Sequence, residues 1–328
     1  MKRREFIAGL GSAAAWPIAA RAQSERRVQR IGVLMPFASS DQQYKARVGA
    51  FIQALQTLGR IEGRNVQIEY RASAGEPDEL RRYATELVEL SPAVILATGV
   101  STVMPLQQAT RTIPIVFVVV PDPVGAGIVE SLGRPGGNLT GFTTFEYGLS
   151  GKWLELLKEI APVVKRVAVL RNPAVSAGIG QFAAIQSVAP SLGVELTPMN
   201  VRDGAEIERA VSAFAGTPGR GLIVTGSALA ASHLDLLVKL MAEHKLPAIY
   251  FDRPFVMAGG LMSYGANGIE QYRMAAGYVD RILGGEKPAD LPVQAPTRYE
   301  TVINLKTAQA LELIVPQTLL SRADEVIE

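Results

Sequence analysis

The 328-residue chain contains no cysteine and only two histidines, and tryptophan is as rare as histidine. Without cysteine there is no disulfide, no thiolate metal site and no lipid-bearing thiol. His233 and His244 fall eleven positions apart in one predicted helix. That is about three turns, too far to share a metal ion. Signatures of catalysis are missing as well. There is no Gly-x-Ser-x-Gly elbow, and Met35-Pro36-Phe37-Ala38-Ser39-Ser40 stands where a dinucleotide-binding glycine loop would follow the first strand. The glycine-rich run 133–138 lacks the Lys-Ser/Thr ending of a phosphate loop and reads as a turn. Acid pairs such as Asp78-Glu79 sit at predicted helix starts, where they complement the helix dipole. These absences point away from an enzyme, and neither a cofactor nor a metal is expected.

Charge of one sign is also lacking. Lys2, Arg3 and Arg4 open the chain, an apolar stretch runs over residues 6–20, and Ala20-Arg21-Ala22 forms a small-x-small cleavage site. Residues 1–22 therefore read as an export signal, and the pair Arg3-Arg4 before Phe6-Ile7 resembles the twin-arginine type. Without them 29 basic residues stand against 30 acidic ones, so the basic excess belongs to the signal. Nucleic-acid binding needs clustered positive charge, and none is present. No later run is long and apolar enough for a membrane helix. A periplasmic location is expected. With 48% apolar residues, a chain of this length can bury a core that needs no disulfide.

What is present is an alternation. Short β-branched runs at residues 30–35, 66–71, 93–97, 115–120 and 139–143 are separated by helical spacing at 44–58, 78–90 and 101–110. The pattern repeats, with strands at 166–170, 194–199, 221–224, 248–251 and 261–264 and helices at 151–160, 179–192, 205–214 and 230–244. A helix at 269–283, a strand at 298–303 and two short helices finish the chain. Two series of this size exceed one sheet. They predict an α/β fold of two doubly wound parallel-sheet lobes joined by three hinge strands. The first lobe is expected to comprise 28–142 plus 265–295 and the second 145–262 plus 298–328. The hinge is expected near 143–144, 263–265 and 295–298.

In open α/β sheets ligands bind beyond the carboxyl ends of the strands. In the first lobe this selects Phe37, Ser39, Thr98, Gly99, Ser101, Thr102 and Asp122, and at the crossing Thr143 and Thr144. In the second it selects Asn172, Thr225, Ser227, Asp252 and Tyr264. Thr98-Gly99-Val100-Ser101-Thr102 leads from strand to helix, where free N–H groups and hydroxyls suit an anion. N-capping by Ser101 explains the same residues. Asp122, between two prolines, is either a cleft-facing acceptor or a turn residue. Phe37, Phe145 and Tyr264 can wall a flat ligand, whereas Phe142 fits core packing better.

Several of these segments carry a family resemblance. Ile113-Pro114-Ile115-Val116-Phe117 leads into Asp122-Pro123-Val124-Gly125-Ala126-Gly127, and Arg134-Pro135-Gly136-Gly137-Asn138-Leu139-Thr140-Gly141 follows. Further on come Gly284-Gly285-Glu286-Lys287-Pro288 and Val302-Ile303-Asn304-Leu305-Lys306. Over essentially the whole chain beyond the signal, the sequence resembles the ABC-transporter substrate-binding family that includes tryptophan- and other aromatic-amino-acid-binding members. The resemblance implies a periplasmic-binding-protein fold of type I, a small-molecule ligand in the cleft, and docking on an ABC permease with its ATPase. A monomer is expected. Thr225-Gly226-Ser227 and Tyr264-Gly265-Ala266-Asn267 replace two family segments that bear carboxylates. An α-ammonium group would need such a partner when buried. The expected ligand is therefore an aromatic or carboxylate-bearing compound, with an amino acid left open through Asp122 or Asp252. The alternative to transport is an exported sensor that reports ligand to a membrane receptor.

Overall fold

The computed structural model describes residues 28–73, 76–144, 147–173 and 175–328. The predicted signal 1–22 and Phe145 lie outside the described residues.

The first sheet is built from β1 (Gln29–Met35), β2 (Val66–Ala72), β3 (Val94–Thr98), β4 (Ile115–Val120) and β5 (Leu139–Thr143), in the order β2-β1-β3-β4-β5 and parallel throughout. Parallel strands need crossover helices on their faces, which is why these strands read as unbroken apolar runs. Helices α1 (Gln42–Thr57) and α10 (Gly268–Leu283) cover one face. They bury Phe51, Leu55, Tyr272 and Val279 against Ile31, Val33 and Val116. Helices α2 (Pro77–Glu89) and α3 (Val100–Ala109) cover the other, with Leu80, Leu87, Val103 and Leu106 against Leu34, Ile95 and Phe117.

The second sheet has the order β12-β11-β10-β9-β8-β6-β7, from β6 (Arg166–Arg171), β7 (Glu195–Asn200), β8 (Arg220–Val224), β9 (Ala248–Tyr250), β10 (Met262–Ala266), β11 (Tyr299–Asn304) and β12 (Glu325–Ile327). Its one antiparallel pair is β10 with β11. Helices α4 (Gly151–Ile160) and α5 (Ser176–Val188) pack on one face through Trp153, Leu157 and Ile185. Helix α6 (Gly204–Ala215) and a pair of helices, α7 (Ala228–Ser232) and α8 (Leu234–Glu243), pack on the other. The single helix expected at 230–244 is thus two. His233 (φ −110°, ψ 28°) leaves the helical region and caps α8. A short helix α9 (Pro254–Met257) follows β9, and α11 (Leu305–Ala310) and α12 (Gln317–Leu320) close the second lobe.

The chain passes between the sheets three times: between Thr143 and α4, between β10 and α10, and between Gln294 and β11. Gln294 is held beside β5, since its N–H donates to the Gly141 carbonyl at 3.0 Å and its carbonyl accepts from Thr143 N–H at 2.9 Å. Residues 265 and 266, expected in the first lobe, are strand residues of the second sheet, opposite Glu300 and Tyr299. Gly265 is required there, because a Cβ would collide with the carbonyl oxygen of Phe251. Among the described residues no helix is long and apolar enough to cross a membrane, and no cluster of His, Asp or Glu could hold a metal ion.

Candidate functional site

The carboxyl ends of both parallel sheets border an inter-lobe cavity of about 880 Å³. From the first lobe it is lined by the turn after β1 and the first turns of α1, including Phe37, Gln42 and Arg47. From the second come Asp235, Asp252 and Met257, with Asn267 and Glu300 at the crossings. Arg47 is 6% exposed. Its guanidinium lies 4.6 Å above the Phe37 ring and 3.5 Å from the carboxylate of Asp252 in the opposite lobe. Burial raises the Asp252 pKa above the ordinary carboxylate value, and Glu300 adds to the rise. Arg47, Arg253 and a backbone hydrogen bond from Arg253 pull the other way without cancelling it. Among the charged residues on its walls, which also include Asp41, Asp235, Arg253 and Glu300, the cavity thus sets a buried cation, Arg47, against a reluctant anion, Asp252, from the other lobe.

A second contact joins the lobes along the first crossing. The Tyr147 hydroxyl donates to Asp122, which also accepts from the Gly125 N–H at 2.8 Å. Burial, then the bond to Asp122, raises the Tyr147 pKa, so the phenol keeps its proton and stays a donor. Asp122 is thus a turn residue that also accepts from Tyr147 of the second lobe, and it does not line the cavity. Its position depends on β4, where the ladder with β5 slips between Phe117 and Val120 and Val119 adopts φ 57°. Positive φ is strained for a β-branched residue. Gln271, 2% exposed on α10, holds this kink: its Oε1 accepts from the Val119 N–H at 2.8 Å and its Nε2 donates to the Thr143 carbonyl at 3.3 Å.

The structure places the other predicted site residues differently. Phe37 and Asp252 line the cavity, and Thr144 and Tyr264 line a smaller recess beside it. Ser101 lies in the first turn of α3 and Thr144 at the first crossing. Both hydroxyl oxygens are shielded from solvent with no hydrogen-bond partner among the described residues. The anticipated cap by Ser101 does not form, since Gly99 (φ 74°) is the N-cap of α3. The remaining hydroxyls are already engaged. Thr98 bonds Tyr272 at 2.6 Å, Thr102 donates to Thr98 and Gly99 carbonyls, Thr143 to Pro121, and Thr225 to Leu170. Ser227 caps α7 by accepting from the Ala230 N–H. Asn172 is half-buried just beyond β6, and Ser39 is exposed and lines neither space.

Arg47, Gln271 and Glu300 are absent from the sequence-based selection because that selection looked only at strand ends. Arg47 had a readable signal: it falls on the apolar stripe of α1, four residues before Phe51 and eight before Leu55. A lone cation on a buried stripe demands a partner.

Residues 30–327 match the family described as ABC transporter substrate binding protein. The chain belongs to that family. A tyrosine-binding protein of Clostridioides difficile is 29% identical over 82% of this chain and 77% of its own length. The ABC domain from Streptococcus pneumonia in complex with L-Trp superposes with a TM-score of 0.84 at 25% identity, covering 92% of this chain and all of that one. A ligand-free, open substrate-binding protein with adhesive properties from Clostridium difficile superposes with a TM-score of 0.69 at 26% identity, over 92% and 99% of the two chains. The substrate-binding protein described here thus has the periplasmic-binding-protein fold of type I. Its family consists of solute-binding proteins rather than enzymes, and they work outside the cytoplasm.

Proposed function

We propose that this substrate-binding protein is the receptor of an ABC importer, exported and cleared of residues 1–22, which closes two lobes over a small organic ligand and delivers it to a membrane permease and its ATPase. The observation that carries the reading is the ion pair between Arg47 and Asp252, which joins opposite lobes inside the cavity. Contacts of this kind exist only when the lobes are together, so anything that inserts between them and bonds both sides favours closure.

The two solved relatives support a closed arrangement. Identity to them is nearly the same, 25% and 26%, yet the TM-score is 0.84 against the complex and 0.69 against the open, ligand-free protein. Sequence divergence does not account for that gap, and a difference in lobe orientation is the reading it supports. Charge narrows the ligand class. A ligand carboxylate can take Arg47 and a ligand ammonium can take Asp252, so a zwitterion would exchange the internal pair for two pairs of its own. This reopens the amino acids that the missing family carboxylates argued against. The relatives' ligands, tyrosine and L-Trp, fall in that class.

The test is isothermal titration calorimetry with L-tryptophan, L-tyrosine and benzoate, combined with small-angle scattering with and without each compound. Binding accompanied by a smaller radius of gyration is expected. A particle that stays the same size while binding would refute lobe closure, and chemical conversion of the bound compound would refute a receptor.

A further inference from the structure

The charges on the cavity walls do not balance. Among the described residues four carboxylates line it, Asp41, Asp235, Asp252 and Glu300, against two guanidiniums, Arg47 and Arg253. Both cations already have carboxylate partners. Arg253 is bonded to the two oxygens of Glu325 at 2.6 and 2.8 Å, and Arg47 stands against Asp252. Asp41 caps α1 by accepting from the Gln43 N–H at 2.7 Å, and Asp235 is exposed in the first turn of α8. Backbone N–H groups and solvent therefore satisfy these two. Glu300 has neither solution.

Glu300 is half-buried on β11, directly opposite Gly265, which offers it no side chain. The Asn267 Nδ2 donates to its two carboxylate oxygens at 3.2 and 3.4 Å. That amide is itself fixed, because its Oδ1 caps α10 by accepting from the Ile269 and Glu270 N–H groups. Two of the crossings thus hold one carboxylate at the cavity wall. No salt bridge among the described residues reaches it. Arg298 is near enough to feel its charge, yet is bonded to Asp324 at 2.8 Å with its side chain 73% exposed. Asp252 also feels Glu300, which helps to raise its pKa, so Arg47 is all that serves two carboxylates. Arg47 in turn is poorly matched. It is 6% exposed, but its 3.5 Å approach to Asp252 exceeds the roughly 2.7–2.9 Å of a charge-assisted hydrogen bond.

A ligand with one negative and two positive groups completes this set. Its carboxylate takes Arg47, its ammonium takes Asp252, and a further cation takes Glu300. A diamine would draw Asp252 away and leave Arg47 buried without a partner. An amino acid with a neutral side chain would leave Glu300 unmatched. We infer that the cavity selects an α-amino acid with a basic side chain, and that Glu300 is the residue that reads the extra positive charge. The inference deepens the receptor reading above and rests on it. The cavity, at about 880 Å³, has room for such a ligand. Asp41 and Asp235 add negative potential that draws a cation in.

Probe pairs alike in shape but different in one charge test it: L-arginine against L-citrulline, and L-lysine against L-norleucine, each titrated by calorimetry. The cationic member of a pair is expected to bind about tenfold tighter or better. In Glu300→Gln, which keeps an oxygen for Asn267 and nearly the same volume, that ratio falls toward one. A measurement on the unsubstituted chain guards against a variant that fails to fold. Raising the ionic strength weakens binding of the cationic member more than that of the neutral one, because the walls carry an unmatched charge. Equal affinities within both pairs, tighter binding of the neutral members, the same salt dependence for both, or a preference kept in Glu300→Gln overturns the inference and leaves the receptor reading intact. If neither pair binds while L-tryptophan, benzoate or any other metabolite does, the inference again falls alone. A protein that binds no metabolite at all removes both.

Discussion

Arg47 and Asp252 stand 3.5 Å apart, one on each lobe, and both are largely withdrawn from solvent. The folded protein holds Asp252 with a pKa above its unfolded value, burial being the main cause. The folded state therefore takes up this proton more readily than the unfolded chain. Ionised Asp252 costs stability, and that cost is relieved as pH falls through the raised pKa toward the ordinary aspartate value. Wild-type stability minus that of Asp252→Asn is expected to increase as pH falls over this interval, by at most ~1.4 kcal/mol per pH unit. Parallel denaturant melts at several pH values measure it. A difference that stays flat would place the titration elsewhere.

Substitution of the other partner probes binding. Arg47→Gln is expected to weaken a carboxylate-bearing ligand about 10- to 100-fold, the range of a charge-assisted hydrogen bond. Calorimetric titration reads this directly. A ligand without a carboxylate would lose far less.

Tyr147→Phe removes the donor that ties the second lobe to Asp122. The closed arrangement proposed above contains this contact, so its loss is expected to lower ligand affinity by roughly 1 kcal/mol, about fivefold. The thermal unfolding of the ligand-free protein should change much less than the affinity.

Gln271 spans the kink at Val119 and the first crossing at Thr143. Gln271→Leu keeps the bulk and leaves a strained N–H without its acceptor. The expected loss is ~1–3 kcal/mol, read from chemical denaturation. Gly265→Ala is expected to cost a similar ~1–3 kcal/mol through overpacking against the Phe251 carbonyl.

These residues differ in how far the sequence disclosed them. The strands were legible because parallel strands covered on both faces are continuous apolar runs, as Val94–Thr98 and Ile115–Val120 are. Strand β12 was not: Glu325–Ile327 is three residues long, and pairing with β11 alone defines it. The break at His233 was hidden because apolar spacing continues across it from Leu229 and Ala230 to Leu237 and Val238. Among the residues that line the cavity and the recess beside it, the strand-end rule reached Phe37, Asp252, Thr144 and Tyr264. It could not tell these from Thr98, Thr143 and Thr225, whose hydroxyls are used by nearby groups, since that depends on side-chain direction. Gln271 was out of reach for another reason. Its partners lie 152 and 128 positions away, and nothing local to α10 announces them.

Helix α10 has a consequence for how the molecule is made. Phe51, Leu55 and Val116 are sealed by Tyr272 and Val279, which the ribosome delivers more than 150 residues after Val116. A nascent or truncated chain ending before residue 268 would carry one open apolar sheet face, a surface prone to self-association. Assembly of the early half is therefore completed from the late half, and fragments split between the two repeats should aggregate on their own yet recover when mixed.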